Sequence, residues 1–221
     1  MNNLHIPEII NAIQHEFSTH ELPLVSRSHW DEIHKTPFTV LISCLLSLRT
    51  KDEITEQVSI RLLKTHDTPE KIITLSEQQL QTIIYPVGFY KTKAKRIKEI
   101  AKTILEKYQG SVPNDFETLI TLKGVGRKTA NIVMLYGFNN PAYLPIDTHC
   151  HRIPNRIGWI QTNTPDETEH ELRSLLPKHY WVEFNHLFVL FGQTICTPIS
   201  PHCSRCPITS YCLKRNVTTH R

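Results

Sequence analysis

Four thiols crowd the last part of the chain, in "CTPISPHCSRCPITSYC": Cys196, Cys203, Cys206 and Cys212, separated by six, two and five residues. Cys44, in an apolar run, and Cys150, in "DTHCHR", stand apart from them. Four thiolates so close together suit either zinc or a [4Fe–4S] cluster. Zinc ribbons favour two Cys-x2-Cys knuckles well apart, whereas this loop has one, which weighs towards the cluster. A disulfide framework is the poorer reading for a chain with no secretory signal.

A second chemical stretch is "TLKGVGRKTANIV", residues 121–133. Glycines before a helix usually mean a phosphate sits nearby. A nucleotide P-loop is excluded, because Arg127 separates Gly126 from Lys128 and no glycine stands at the required earlier position. A dinucleotide fingerprint lacks both its third glycine and its strand. What remains is helix, "LKGVG", helix. Gly124 and Gly126 can turn sharply there, aiming backbone N–H groups at one anion without reading any base. An ordinary glycine-capped helical turn is the plain alternative.

The elements around these stretches are helical by periodicity. Apolar residues recur at three and four in "IPEIINAIQHEF", and "PFTVLISCLLSL" reads as a buried helix. Thr68 and Ser76 begin two short helices as N-caps, Gly110 closes the long "KTKAKRIKEIAKTILEKYQG", and Asp147 caps "THCHRIPNRIGW". "RKTANIVMLYGF" reads as one helix, and no convincing alternating strand occurs. The fold class is therefore all-α.

With 221 residues, 39% hydrophobic and 21% charged, the chain can bury one or two cores. No apolar run reaches the roughly 20 residues a membrane span needs, so no membrane partner and a cytoplasmic, soluble protein are expected. The net charge of +4 is modest. It concentrates in Lys91, Lys93, Lys95, Arg96, Lys98, Lys102 and Lys107, and again in Arg205, Lys214, Arg215 and Arg221. Such patches follow a phosphate backbone, or merely solvate a helix face.

"LKGVGRKTANIV" followed by "PIDTHCHRIPNRIGW" resembles the helix-hairpin-helix DNA glycosylases, most closely the endonuclease III family, whose iron–sulfur loop the four cysteines match spacing for spacing. The likeness runs from about Ile6 to Cys212. It implies two helical domains with DNA held across the cleft between them: 28–140, a helical barrel with the hairpin, and 1–27 plus 141–221, holding the cluster. It implies a monomeric base-excision-repair enzyme, nucleoid-associated in a prokaryote, acting on double-stranded DNA with damaged bases or abasic sites. Oxidised pyrimidines would be removed and the abasic site nicked.

In that resemblance Lys128 is the nucleophile and Asp147 its carboxylate partner. An exposed lysine is almost wholly protonated at neutral pH, so its attack needs desolvation or neighbouring positive charge. Lys123 replaces a proline of the family pattern and adds a cation at the turn. Arg49 stands where the family usually has Gln, and Phe89 where it has Leu. Both would line the gap left by an everted nucleotide, with Phe89 as wedge. Arg205 would meet the backbone from the cluster loop, and His149 and His151 read as structural. The related adenine glycosylases usually lack the lysine and do not nick the strand. That activity, or a non-catalytic iron–sulfur DNA-binding protein, is the alternative.

Overall fold

The computed structural model describes residues 4–18 and 32–221. The domain boundary expected between residues 27 and 28 lies outside them. Every regular element among the described residues is helical, as periodicity requires. The chain divides into two compact units, Met1–Pro23 with Leu144–Arg221, and Leu24–Tyr143. Helix α1 (Ile6–Glu16) belongs to the first.

The unit Leu24–Tyr143 is built around α2 (Pro37–Ser47), which buries every residue from Phe38 to Leu46. A helix that is apolar all round must sit inside. Thr36 starts it with a reciprocal capping box: its hydroxyl accepts from the Thr39 N–H at 3.1 Å, and the Thr39 hydroxyl accepts from the Thr36 N–H at 2.8 Å. Then follow α3 (Asp52–Leu63), α4 (Pro69–Thr74), α5 (Glu77–Ile84), α6 (Tyr90–Tyr108), α7 (Phe116–Thr121) and α8 (Arg127–Ile132). Thr68, Ser76 and Asp115 cap α4, α5 and α7 through their side-chain oxygens. Helix α6 packs on α4 and α5, and α2 packs on α3, α6 and α8.

Helix α6 ends at Tyr108, and Gly110 closes it as expected: Gln109 at φ 53° and Gly110 at φ 81° are both left-handed, and the Gly110 N–H donates to the Ile104 carbonyl at 3.1 Å. One detail departs from the sequence reading. "RKTANIVMLYGF" is not one α-helix: α8 widens into a π turn, Val133–Gly137, packed against α2. A Cβ on Gly137 would lie 2.9 Å from the Pro37 Cα, so the missing side chain is what lets this wide turn touch the start of α2.

The other unit contains α1, α9 (Thr148–Ile157), α10 (Pro165–Leu175) and α11 (Trp181–Thr194). Its centre is Phe184, Phe188 and Phe191 on α11, met by Ile9, Ile10 and Ile13 of α1. The Gln14 side-chain amide donates to Glu183 at 2.5 Å, and the Trp159 indole donates to the Leu4 carbonyl at 2.9 Å. The opening helix thus packs with the C-terminal part, as expected. No helix among the described residues is long and apolar enough to cross a membrane.

Candidate active site and cluster loop

The glycine turn joins α7 to α8, and its two glycines differ. Gly124 has φ 87°, and a Cβ there would fall 2.6 Å from the Arg96 Nε. The flexible side chain of the α6 arginine lies over the bare Cα and can shift, so it is the left-handed conformation that demands glycine. Gly126 is the N-cap of α8 at φ −95°, and a Cβ on it would meet nothing within 4 Å. Its absent side chain leaves a smooth surface facing solvent at a helix N-terminus. Lys123 stands exposed at the turn with its Nζ 3.2 Å from Glu99. Arg127 lays its guanidinium over the Phe116 ring at 4.9 Å.

Lys128 follows on the first turn of α8 and is exposed. Its charge reaches Cys44 in α2, whose thiol is pushed up to about 12 because burial outweighs the lysine's opposing field.

Asp147 caps α9: one carboxylate oxygen accepts from the N–H groups of His149 and Cys150, both at 2.8 Å. That carboxylate therefore satisfies two of the backbone N–H groups left open at the start of α9. Further along α9, the Arg152 guanidinium donates to the Cys196 carbonyl at 2.7 Å and the Gly192 carbonyl at 3.2 Å, and lies 3.0 Å from the His149 Nδ1. His151 Nδ1 pairs with the Thr168 hydroxyl at 2.7 Å. Burial pushes the pKa of His151 down, against the opposing pull of Glu167. Both histidines are structural.

The four thiols line one cavity together with Ile153, Ile157, Phe191 and Ile208. Buried Arg156 closes the cavity, donating to Cys196 Sγ at 3.3 Å and to the carbonyls of Thr197 and Pro198, both at 2.7 Å. The Lys214 N–H points at Cys212 Sγ at 3.4 Å. Burial pushes the Cys206 thiol up to about 11 and raises Cys212 as well. Thiols spread around an apolar cavity, with a guanidinium and backbone N–H groups directed at sulfur, fit an anionic iron–sulfur cluster. Arg205, on the short turn Cys203–Arg205, is exposed and reaches the Thr194 carbonyl at 3.4 Å.

Arg49 and Phe89, forty residues apart, come together at one pocket that also takes in Leu45, Leu48, Lys93 and Arg96. The Arg49 guanidinium lies 5.7 Å from the Phe89 ring centre, and Phe89 is 62% exposed. The aromatic is thus no core residue. The sequence reading put Lys93 in a basic patch that either follows a phosphate backbone or solvates a helix face, yet it is buried; the register of α6 against α2 carried the missing signal. Lys98 also turns inward, towards the carbonyls of Ile73 and Leu75.

A helical hairpin with a bare glycine turn, a lysine on the next helix and a four-thiol loop define a DNA-repair glycosylase scaffold. Residues 42–178 match the HhH-GPD superfamily of base excision DNA repair proteins, and residues 196–212 match the iron–sulfur binding domain of endonuclease III. An endonuclease III of Thermotoga maritima is 48% identical over 176 residues, 80% of this chain and 82% of that one. Endonuclease III homolog 2 of Arabidopsis thaliana, a chloroplastic protein, is 45% identical over 183 residues; this chain spans 47% of its length. A trapped covalent endonuclease III–DNA intermediate superposes with a TM-score of 0.83 at 30% identity, covering 97% of each chain. The chain belongs to the endonuclease III family, the DNA glycosylase/AP lyases of base excision repair that carry a [4Fe–4S] cluster.

Proposed function

We propose that this protein is a bifunctional glycosylase and lyase that works through a Schiff base on Lys128, with oxidised pyrimidines as its damaged bases. The observation that carries the reading is Lys128 itself: an exposed amine on the first turn of α8, directly after the glycine turn. A backbone phosphate seated on the Gly126 N–H and its neighbours would bring a sugar to that amine. Lys123, at the turn, and Arg205, on the cluster loop, would each add positive charge for DNA. The two compact units correspond in this reading to the helical-barrel domain with the hairpin and the cluster domain. The protein acts as a monomer.

The chemistry follows from the residues. Departure of the base leaves positive charge on the sugar, which the Asp147 carboxylate stabilises. The neutral Lys128 amine bonds to C1′ while the C1′–N bond breaks, and the base leaves with its electron pair and gains a proton. The sugar ring opens to a protonated Schiff base. Loss of a C2′ proton then expels the 3′ phosphate by β-elimination, and water releases the lysine. Cys196, Cys203, Cys206 and Cys212 hold the cluster, which supplies no step here and fixes the loop that carries Arg205. Arg49 and Phe89 enter the gap left by the everted nucleotide, Phe89 by stacking and Arg49 by donating to the orphaned base.

The trapped endonuclease III intermediate supports a covalent route in a relative. For this chain, borohydride added to protein and an abasic duplex should join the two covalently. Tight binding with no trapped species would replace this reading with the binding module, and base release without a nick would favour the monofunctional glycosylase.

The glycines give a separate prediction. Gly124→Ala should cost about 1–2 kcal/mol of stability, through its positive φ. Gly126→Ala should leave the melting temperature almost unchanged yet weaken binding to an abasic-analogue duplex roughly tenfold, since its Cβ points only at incoming backbone. Equal binding by Gly126→Ala and wild type would remove the phosphate from this turn.

A further inference from the structure

Lys93 is a charged residue that the chemistry above does not use, and it is 7% exposed. Its ammonium donates to the Leu46 carbonyl at 2.7 Å, the Leu48 carbonyl at 2.6 Å and the Thr50 hydroxyl at 3.1 Å. Three protons thus meet three acceptors. The first two are end carbonyls of α2, which have no partner inside the helix and sit at its negative pole. Lys93 caps α2 from another helix. Burial alone pushes its pKa down to about 8, so the fold keeps the charge inside at a cost that these acceptors offset.

The segment tied down in this way is unusual. Arg49 has φ 53° and Phe89 has φ 58°, two large side chains in left-handed backbone, which costs each about 1–2 kcal/mol against an ordinary conformation. Thr50 links the two turns, its hydroxyl accepting from the Gly88 N–H at 3.1 Å. A Cβ on Gly88 would lie 2.5 Å from the Arg49 carbonyl, so the turns are in direct backbone contact. Strained conformations persist only where surrounding bonds over-determine them.

We propose that Lys93 is a positioning residue for damage reading: by fastening the end of α2 to the turn before α6, it holds Arg49 and Phe89 in the pose with which they enter the gap in the duplex. This inference rests on the proposed placement of those two side chains in DNA, and its test separates the two. The probe is a duplex with a tetrahydrofuran abasic analogue opposite 2-aminopurine, whose fluorescence rises when the base is unstacked.

Wild-type protein should brighten the probe. Lys93→Met, which replaces a buried charge by an apolar chain of similar length, should reduce the rise about threefold. It should also slow base excision from duplex roughly tenfold, as a misplaced positioning group does. Cleavage of a single-stranded abasic oligonucleotide, which has no gap to fill, should stay within about twofold of wild type. Thr50→Val, which removes one acceptor and leaves the ammonium in place, should shift the fluorescence the same way by a smaller factor; it decides the matter if Lys93→Met does not fold. If Phe89→Ala abolishes the rise while Lys93→Met and Thr50→Val keep it, the positioning role is overturned and the reading of Phe89 stands. If Phe89→Ala and Arg49→Ala also keep it, the placement of those side chains fails and takes this inference with it.

Discussion

Lys128→Ala should lose the borohydride-trapped complex altogether and slow strand cleavage at an abasic site by on the order of 10³-fold or more. The same variant should still fold and still bind an abasic-analogue duplex, because Lys128 is exposed and the bare Gly124–Gly126 turn remains. That pairing of outcomes discriminates between two roles for one cation. A lysine that only holds phosphate would lose affinity, with a shallower salt dependence by about one charge, and leave the chemical rate per bound complex intact. A nucleophile does the reverse. Single-turnover kinetics at saturating protein reads the chemical step directly, alongside the affinity from a titration. Persistent trapping by Lys128→Ala would hand the chemistry to another amine and dissolve the assignment.

Loss of the cluster should have the next largest effect, and on stability rather than chemistry. In Cys203→Ala the loop would keep few apolar anchors, Ile208 chief among them. Arg156 would remain buried, bonded to the carbonyls of Thr197 and Pro198 but without the anionic sulfurs it faces. Leaving a buried charge without its counter-charge typically costs about 3–5 kcal/mol. The purified variant should lose its brown colour and its iron, and its thermal transition should fall by several degrees or more. Since α9 carries both Arg156 and the Asp147 cap, the loss should also reach DNA binding. Iron content and thermal unfolding, measured on the same preparation, check the link. A colourless variant with an unchanged transition would mean that the loop is held by protein contacts alone.

The helices and the chemistry-bearing stretches were legible from sequence because their signals are local. Capping by Thr68, Ser76 and Asp147 needs only a side chain and the next turn of backbone. The four cysteines lie within 17 residues, so their spacing alone brings them to one loop. The π turn after α8 was not legible, since an α-helix and its widened variant share one apolar pattern; packing on α2 distinguishes them.

Tertiary structure alone decided which charges face inward. Lys93 and Lys95 read alike in "KTKAKR", yet one is buried and the other exposed. The acceptors that hold Lys93 lie 43 to 47 residues earlier in the chain. The same holds for Arg49 and Phe89, forty residues apart, which two left-handed turns bring to a shared pocket. Sequence thus determined the helices and the chemical groups, because caps, periodicity and cysteine spacing act over a few residues. The fold decided which of those groups meet, because burial and hydrogen bonding depend on partners that only packing brings close.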